Sequence, residues 1–252
     1  MMTQRRYSPI KIKTAQAHQC TISSRLRILG QLPFFQDLAE AELVQTNMMF
    51  HEQGYHAGDI ICLSGDPADH LFVVADGRVK LLHHALSGKE ILLDLLTPGE
   101  FFGSISGLGG DVYPDTAQAL STCCILVINR DAFQQIIRKH PAVSLKVIEI
   151  MSRRLQAANE RVQLLSTLPV EGRIAFLLLR LAAKFGEKHD VGLLLQVPLS
   201  RDDLAGMSGT TTESVSRVMS QFQKDGLVRA GRGWVAVTDT KGLELIAGEK
   251  AW

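Results

Sequence analysis

The chemistry in this chain is most legible at Thr212-Glu213-Ser214-Val215-Ser216-Arg217. Arg217 can donate two parallel N–H bonds to a guanine edge. Glu213 can accept from N4 of a cytosine, and the Ser216 hydroxyl can do either. At helical spacing Glu213, Ser216, Arg217 and Ser220 share one face, and Val215, Val218, Met219 and Phe222 share the opposite one. An apolar packing face behind a polar, base-reading face is what a helix needs to enter a DNA major groove.

Such a helix must be held by others. Ser200 is predicted to cap a preceding helix, with Asp203 at the capping-box position and Leu204, Ala205 and Met207 behind it. Ser208-Gly209 breaks that helix. Thr210 is predicted to cap the reading helix, paired with Glu213, and Gly226 closes it in the C′ role. Leu227-Val228-Arg229, a turn at Ala230-Gly231-Arg232-Gly233, and Trp234-Val235-Ala236-Val237 are then expected to form a β-hairpin, with Arg232 at its tip placed to touch a backbone phosphate. The whole is a winged helix-turn-helix. Val170 to Phe185 reads as an amphipathic helix before it, followed by a strand at Leu193-Leu194-Leu195 and Val197.

Upstream the pattern changes twice. From His51 to Arg130 short apolar segments recur between turns at Gly58-Asp59, Gly65-Asp66, Asp76-Gly77, Ser87-Gly88, Pro98-Gly99 and Gly109-Gly110. That cadence predicts a compact antiparallel barrel or β-roll, able to enclose one small ligand or to fill with side chains. From Asp131, expected to cap a short helix, the chain turns helical, and a second helix starts near Pro141. Ile148, Met151, Leu155, Ala158, Val162 and Leu165 then step alternately by three and four until Pro169 ends the run. That is an a/d seam with charged flanks, which predicts a parallel two-helix dimer. Ahead of the barrel, Asp37 is expected to cap a helix over Leu38–Leu43, and residues 1–21 read as a loosely held basic arm.

The expected fold class is therefore α+β: an N-terminal antiparallel β-roll, a long dimerisation helix and a C-terminal winged helix-turn-helix. The boundaries expected are an arm over 1–24, the β-roll with flanking helices over 25–130, the dimer helix region over 131–168 and the DNA-binding domain over 169–252.

Composition bounds the function classes. The chain has 252 residues and a net charge of +1, with 46% hydrophobic and 21% charged residues. These are values of a globular chain, and a DNA surface must be a local patch. No apolar run reaches membrane-spanning length, and no apolar segment follows the basic N-terminus as in a secretory signal. The four cysteines, Cys20, Cys62, Cys123 and Cys124, make no C-x-x-C pair, and adjacent Cys123-Cys124 is a poor disulfide framework, so a reducing cytoplasm is expected. Adjacent Cys123-Cys124 read as small core residues of a barrel strand. No Walker loop, H-E-x-x-H, G-x-S-x-G or G-x-G-x-x-G is present, and Gly107-Leu108-Gly109-Gly110 lacks the lysine and helix of a phosphate loop, so an enzyme is not expected. A ligand-binding subunit of a kinase or channel would leave the winged helix unexplained.

The order barrel, long helix, winged helix resembles the CRP/FNR superfamily of bacterial transcription regulators. The resemblance rests on the Gly58-Asp59, Gly65-Asp66 and Gly77 turns, on Pro98-Gly99-Glu100-Phe101-Phe102-Gly103, and on Thr212 through Arg217. It covers about residues 25 to 245. It implies a homodimer that binds a palindromic operator in double-stranded DNA and meets RNA polymerase, as an activator or a repressor. The E-x-x-S-R run resembles the FNR branch; the cyclic-AMP receptor branch carries arginine where Thr212 stands and glycine where Ser216 stands. A TTGA-like half-site in inverted repeat follows, with Thr212 beside the three base readers. Ser200 and Arg201 match positions that contact phosphate in the family, and Thr211 is grouped with them.

The sensor end departs from the family. Its possible effector pocket is Phe102, Gly103, Ser104, Asp115 and Thr116. Cyclic-AMP binders present a glutamate shortly after the F-x-G turn and an Arg-Ser pair further on; here Ser104 and Pro114-Asp115 stand there. An aspartate facing a phosphate repels it, and no cation stands nearby in sequence. His18-Gln19-Cys20-Thr21-Ile22-Ser23 resembles part of the FNR cysteine cluster, but Ala17 and Leu26 occupy the flanking cysteine positions and Leu126 the barrel one. Cys20 alone cannot hold a [4Fe–4S] centre. Neither cyclic AMP nor an iron–sulfur cluster is expected. Haem is a competing reading, with His83, His84, His51, His56 or His70 to ligate it, although Gly103, Ser104 and Ile105 replace the CO sensor's Cys/His pair. A thiol-based redox sensor through Cys123-Cys124, a different small organic effector, and no effector at all are the other readings, the last controlled by the protein's own abundance.

Overall fold

A computed structural model describes residues 9–10, 20–85, 90–103 and 112–248. The chain parts near Ala157 and Ala158 into two compact units, each taken by itself below. Most of the predicted arm lies outside the described residues. No helix among those described is long and apolar enough to cross a membrane.

The N-terminal unit begins with α1 (Ile22–Gln31) and α2 (Glu40–Asn47). Thr21 caps α1, its hydroxyl oxygen accepting from the Ser24 N–H at 3.2 Å. Asp37 does not cap α2 as expected. The Leu38 N–H closes a turn onto the Phe35 carbonyl at 3.0 Å, and α2 starts only where Glu42 accepts from the Ala39 N–H at 2.9 Å. Eight strands follow: β1 (His51–Tyr55), β2 (Ile60–Cys62), β3 (His70–Asp76), β4 (Val79–His84), β5 (Glu90–Leu96), β6 (Phe101–Gly103), β7 (Thr116–Ala119) and β8 (Cys123–Asn129). They form two four-stranded antiparallel sheets, ordered β1-β8-β3-β6 and β2-β7-β4-β5. The expected β-roll is present, with β1, β6 and β7 added to the strands that the apolar runs marked.

Strand β8 is central to this unit, and both its faces are buried. Cys123, Ile125 and Val127 join Val74, Val79, Phe72 and Phe102 in the core of the roll. Cys124, Leu126 and Ile128 point the other way, into a second core with Phe34, Phe35, Phe101 and Phe133. The period-two alternation of a strand thus sends the two adjacent cysteines into different cores. Only Cys123 fits the expectation of a small, free core residue. Cys124 is disulfide-bonded to Cys20, 104 residues earlier, so the expectation that the chain forms no disulfide is corrected. Cys20 is accordingly not part of a loose arm.

Helix α3 (Arg130–Lys139) is capped by Asn129 and not by Asp131; the Asn129 side chain accepts from the Ala132 N–H at 2.8 Å. Helix α4 runs unbroken from Pro141 to Thr167, and 27 residues at about 1.5 Å each give it about 40 Å. Its first turns bury Val143 and Val147 against the aromatic core. Further along, the Arg154 guanidinium lies 4.1 Å from the Phe101 ring centre and donates to the Phe101 carbonyl at 3.1 Å. Ile148, Leu155 and Val162 are 62–64% exposed, Leu165 is 49% and Met151 37% exposed, and Ala158 is exposed with them.

The C-terminal unit packs α5 (Val170–Phe185) against α6 (Arg201–Ser208), α7 (Thr212–Lys224) and α8 (Thr240–Ala247). A four-stranded antiparallel sheet, ordered β11-β12-β10-β9, covers it: β9 (Gly186–His189), β10 (Gly192–Leu195), β11 (Val228–Gly231) and β12 (Trp234–Val237). The hairpin turn is tighter than expected. Gly231 pairs with Trp234, leaving only Arg232-Gly233 at the tip.

Candidate nucleic-acid interface

Two helices and a wing make this surface, and each is fixed by its own hydrogen bonds. At the start of α6 the Asp203 N–H donates to the Ser200 hydroxyl oxygen at 3.0 Å, and Asp203 accepts from the Ser200 N–H at 2.7 Å. That is the expected capping box. The helix ends at Gly209, whose φ of +62° is left-handed backbone that favours glycine. The Arg173 guanidinium of α5 donates to the Gly209 carbonyl at 3.0 Å and so holds the turn.

The cap of α7 falls one residue later than predicted. The Thr211 hydroxyl oxygen accepts from the Ser214 N–H at 3.2 Å. A box between Thr210 and Glu213 would need the Thr210 N–H, and that group donates to the Ala205 carbonyl at 3.0 Å. Glu213 is therefore not spent on capping. Thr212 donates its hydroxyl proton to Asp202 of α6, a tie between the two helices. Val215, Val218, Met219 and Phe222 are buried, as their spacing predicts. Glu213, Ser216, Arg217 and Ser220 are exposed. Glu213 and Arg217 are in no salt bridge among the described residues, so their polar ends are available. Ser216 donates to the Thr212 carbonyl at 2.8 Å, leaving its oxygen to accept from outside.

The residues expected at phosphates divide into two kinds. Ser200 already donates both its N–H and its hydroxyl to Asp203, the latter at 2.6 Å, and Thr211 donates its hydroxyl to Ser214 at 3.0 Å. Arg201 is half-buried, and burial pulls its guanidinium pKa down from an ordinary value too high for it to lose its charge near neutrality. Arg232 is exposed at the hairpin tip. Asp202 and Arg173, which fix the helix start and the turn, had no signal in the sequence, because their partners lie ten and thirty-six residues away.

The sensor residues lie in the N-terminal unit. Phe102 is buried and stacks on Phe72 with ring centres 5.0 Å apart. Gly103 has a φ of +88°, and a Cβ there would come within 2.6 Å of the His70 carbonyl oxygen. Thr116 is buried, its hydroxyl oxygen accepting from the Ser64 N–H at 3.1 Å. Ser104 lies outside the described residues. The Asp115 carboxylate has a partner 32 residues away in sequence: the His83 ring nitrogen sits 3.1 Å from it. His51, His56 and His84 are exposed. Among the described residues one group of three potential metal ligands gathers its atoms within 4.8 Å, and it is Cys20, Glu52 and Cys124. Its two sulfurs are bonded to each other and offer no thiolate in this state. The other two cysteines are buried thiols: burial pushes Cys62 up from 9.0 to about 11 and raises Cys123 as well.

Comparison with known proteins places both units. A cyclic nucleotide-binding domain family matches residues 52–140, and a Crp-like helix-turn-helix domain family matches residues 172–246. The chain is 34% identical to the Cyclic AMP receptor protein of Thermus thermophilus, over 85% of this chain and 96% of that one. It is 30% identical to the transcriptional activator protein FnrA of Stutzerimonas stutzeri, over 76% of this chain and 78% of the other. Among solved structures, FixK2 of Bradyrhizobium japonicum shares the fold with a TM-score of 0.68 at 21% identity, over 79% of this chain and 98% of that one.

Proposed function

This chain belongs to the CRP/FNR family of transcription regulators, and from that premise we propose that it works as a homodimer reading a TTGA-like inverted repeat. The observation that carries the reading is the division of α7. Its apolar face is buried, its Glu213, Ser216 and Arg217 face is exposed, and Thr211, Asp202 and Arg173 fix the frame around it. Arg217 pairs with the guanine of the half-site, Glu213 accepts from a cytosine N4 on the other strand, and Ser216 accepts from a neighbouring base edge. Arg201 and Arg232 hold phosphates and add no sequence preference.

Two copies meet along α4. A stripe with Ile148, Leu155 and Val162 each more than 60% exposed costs free energy in water and gains it on burial against its own copy. Two-fold symmetry then sets the reading helices about 34 Å apart, one turn of DNA. The dimer acts in the cytoplasm, where it meets RNA polymerase at the promoter.

The sensor does not take cyclic AMP. Asp115, half-buried and bonded to His83, puts a carboxylate where the cyclic phosphate would need a cation.

The test is a gel shift with a TTGA inverted repeat against a scrambled one, across salt concentrations, because phosphate contacts give a steep salt dependence. Selective retardation of the repeat is expected; equal retardation of both sequences at every salt concentration would sink the reading.

A further inference from the structure

Cys20, Cys124 and Glu52 form a cluster that the DNA-reading function does not use. Cys20 ends the N-terminal arm, one residue ahead of the cap of α1, and is half-exposed. Cys124 is 3% exposed on an inner strand of its sheet. Glu52 comes from β1, beside β8, and one of its carboxylate oxygens lies within 4.8 Å of both sulfurs. Arg25 of α1 approaches the same carboxylate at 3.9 Å. Three separate parts of the chain thus converge on one sulfur pair.

We propose that Cys20 and Cys124 are a reversible dithiol–disulfide couple and that its opening and closing is this regulator's input. The proposal rests on the regulator reading above and gives that reading its signal. Disulfides inside a reducing compartment are usually transient and redox-sensing, and this one has the position for it. Cys20 is the less buried of the two, and Cys124 lies inside the core against which Cys20 packs. The remaining cysteines do not compete, since Cys62 and Cys123 are buried with thiols held protonated well above neutral pH.

The oxidant is a hydroperoxide. Glu52 takes the Cys20 proton, and the thiolate attacks one peroxide oxygen. The O–O bond breaks, the leaving oxygen takes the proton back from Glu52 and departs as water or an alcohol, and Cys20 becomes a sulfenic acid. The Cys124 sulfur then attacks that of Cys20. The S–O bond breaks, and the departing hydroxide leaves as water with the Cys124 proton. The two thiols have lost two electrons and two protons, and the peroxide has gained both. A small dithiol reverses the change by thiol–disulfide exchange, entering from the side of Cys20, the less buried of the two.

The tie joins the start of α1 to β8, and β8 has one face in each core of its unit. Breaking it releases the chain entry to α1 from the sheet that carries Phe101 and, through it, the Arg154 contact of α4.

The experiment uses the full-length protein, reduced with dithiothreitol, desalted without air, and given one equivalent of hydrogen peroxide. After unfolding, free thiols are capped with N-ethylmaleimide and mapped by mass. Two caps, on Cys62 and Cys123, are expected, and dithiothreitol should restore four. Four caps after peroxide, or a bond between other cysteines, overturns the couple. So does a reduced protein that retains one zinc ion per chain and resists peroxide. The input is read by gel shift on the TTGA repeat, where affinity should differ about fivefold or more between the two states. The Cys20→Ser variant, treated in parallel, should show no difference. Equal affinity of the wild type in both states overturns the input role. If the bond cycles and neither state prefers the repeat to scrambled DNA, the operator reading fails and the couple stands.

Discussion

The guanidinium of Arg173 donates to the carbonyl of Gly209 at 3.0 Å, so α5 holds the turn between the two helices of the DNA-reading pair. Leu165, the last residue of the α4 stripe, closes on the same point: a Cβ on Gly209 would come within 2.9 Å of Leu165 Cδ2. The end of the predicted dimer seam and the turn that aims the reading helix are therefore neighbours. Gly209→Ala must place a side chain both in left-handed backbone and against Leu165. A loss of about 1–2 kcal/mol is expected from the backbone alone. Urea unfolding of the variant checks it, and an unchanged midpoint would contradict the assigned conformation.

Arg217→Ala should lower discrimination at one G·C pair of the half-site by about 1–3 kcal/mol and leave the other positions as they were. Competition binding with every single-base variant of the half-site measures this. If all sequences lose affinity equally, Arg217 touches phosphate and reads no base.

Ala158→Glu places a charge in the middle of the α4 stripe, where burial against a second copy would require its desolvation. Because Ala158 is exposed in the single chain, the fold should survive. Sedimentation should show folded monomers without operator affinity. A dimer of normal affinity would move the interface elsewhere.

Cys62 gives stability a pH dependence. Its thiol ionises near 9.0 in the unfolded chain and near 11 in the fold, so between those values the unfolded state binds fewer protons. The contribution is complete below pH 9 and is lost as pH rises towards 11. Its full size is about 2–3 kcal/mol by the cost of two pKa units. Cys62→Ala should flatten this part of the stability curve relative to wild type. An identical alkaline decline in the variant would assign it to other groups.

How much could be read ahead of the structure depended on whether a residue's partner was near in sequence. Helix α7 was legible because its two faces are written within thirteen residues, and the α4 stripe because steps of three and four persist from Ile148 to Leu165. Strands β1, with His51-Glu52-Gln53-Gly54-Tyr55, and β9, with Gly186-Glu187-Lys188-His189, have too few apolar residues to announce themselves. They form because β8 and β10 offer them hydrogen bonds. Among Thr210, Thr211 and Thr212, each a competent cap, the choice fell to Thr211 once the turn committed the Thr210 N–H to Ala205. The Asp115–His83 contact and the Cys20–Cys124 bond span 32 and 104 residues, and no local pattern could pair them. Cys123 and Cys124 looked equivalent as letters, and the alternation of β8 made them opposites.

That alternation also fixes what the chain can tolerate. Strands β4 and β5 have outward-facing positions at which substitution is cheap. From Cys123 to Ile128 there is none, since every side chain enters one core or the other. In a saturation-mutagenesis map these six positions would form an unbroken intolerant block. Unrelated second-site suppressors would be needed at neighbouring residues: roll-interior partners for the odd numbers, helix-side partners for the even ones.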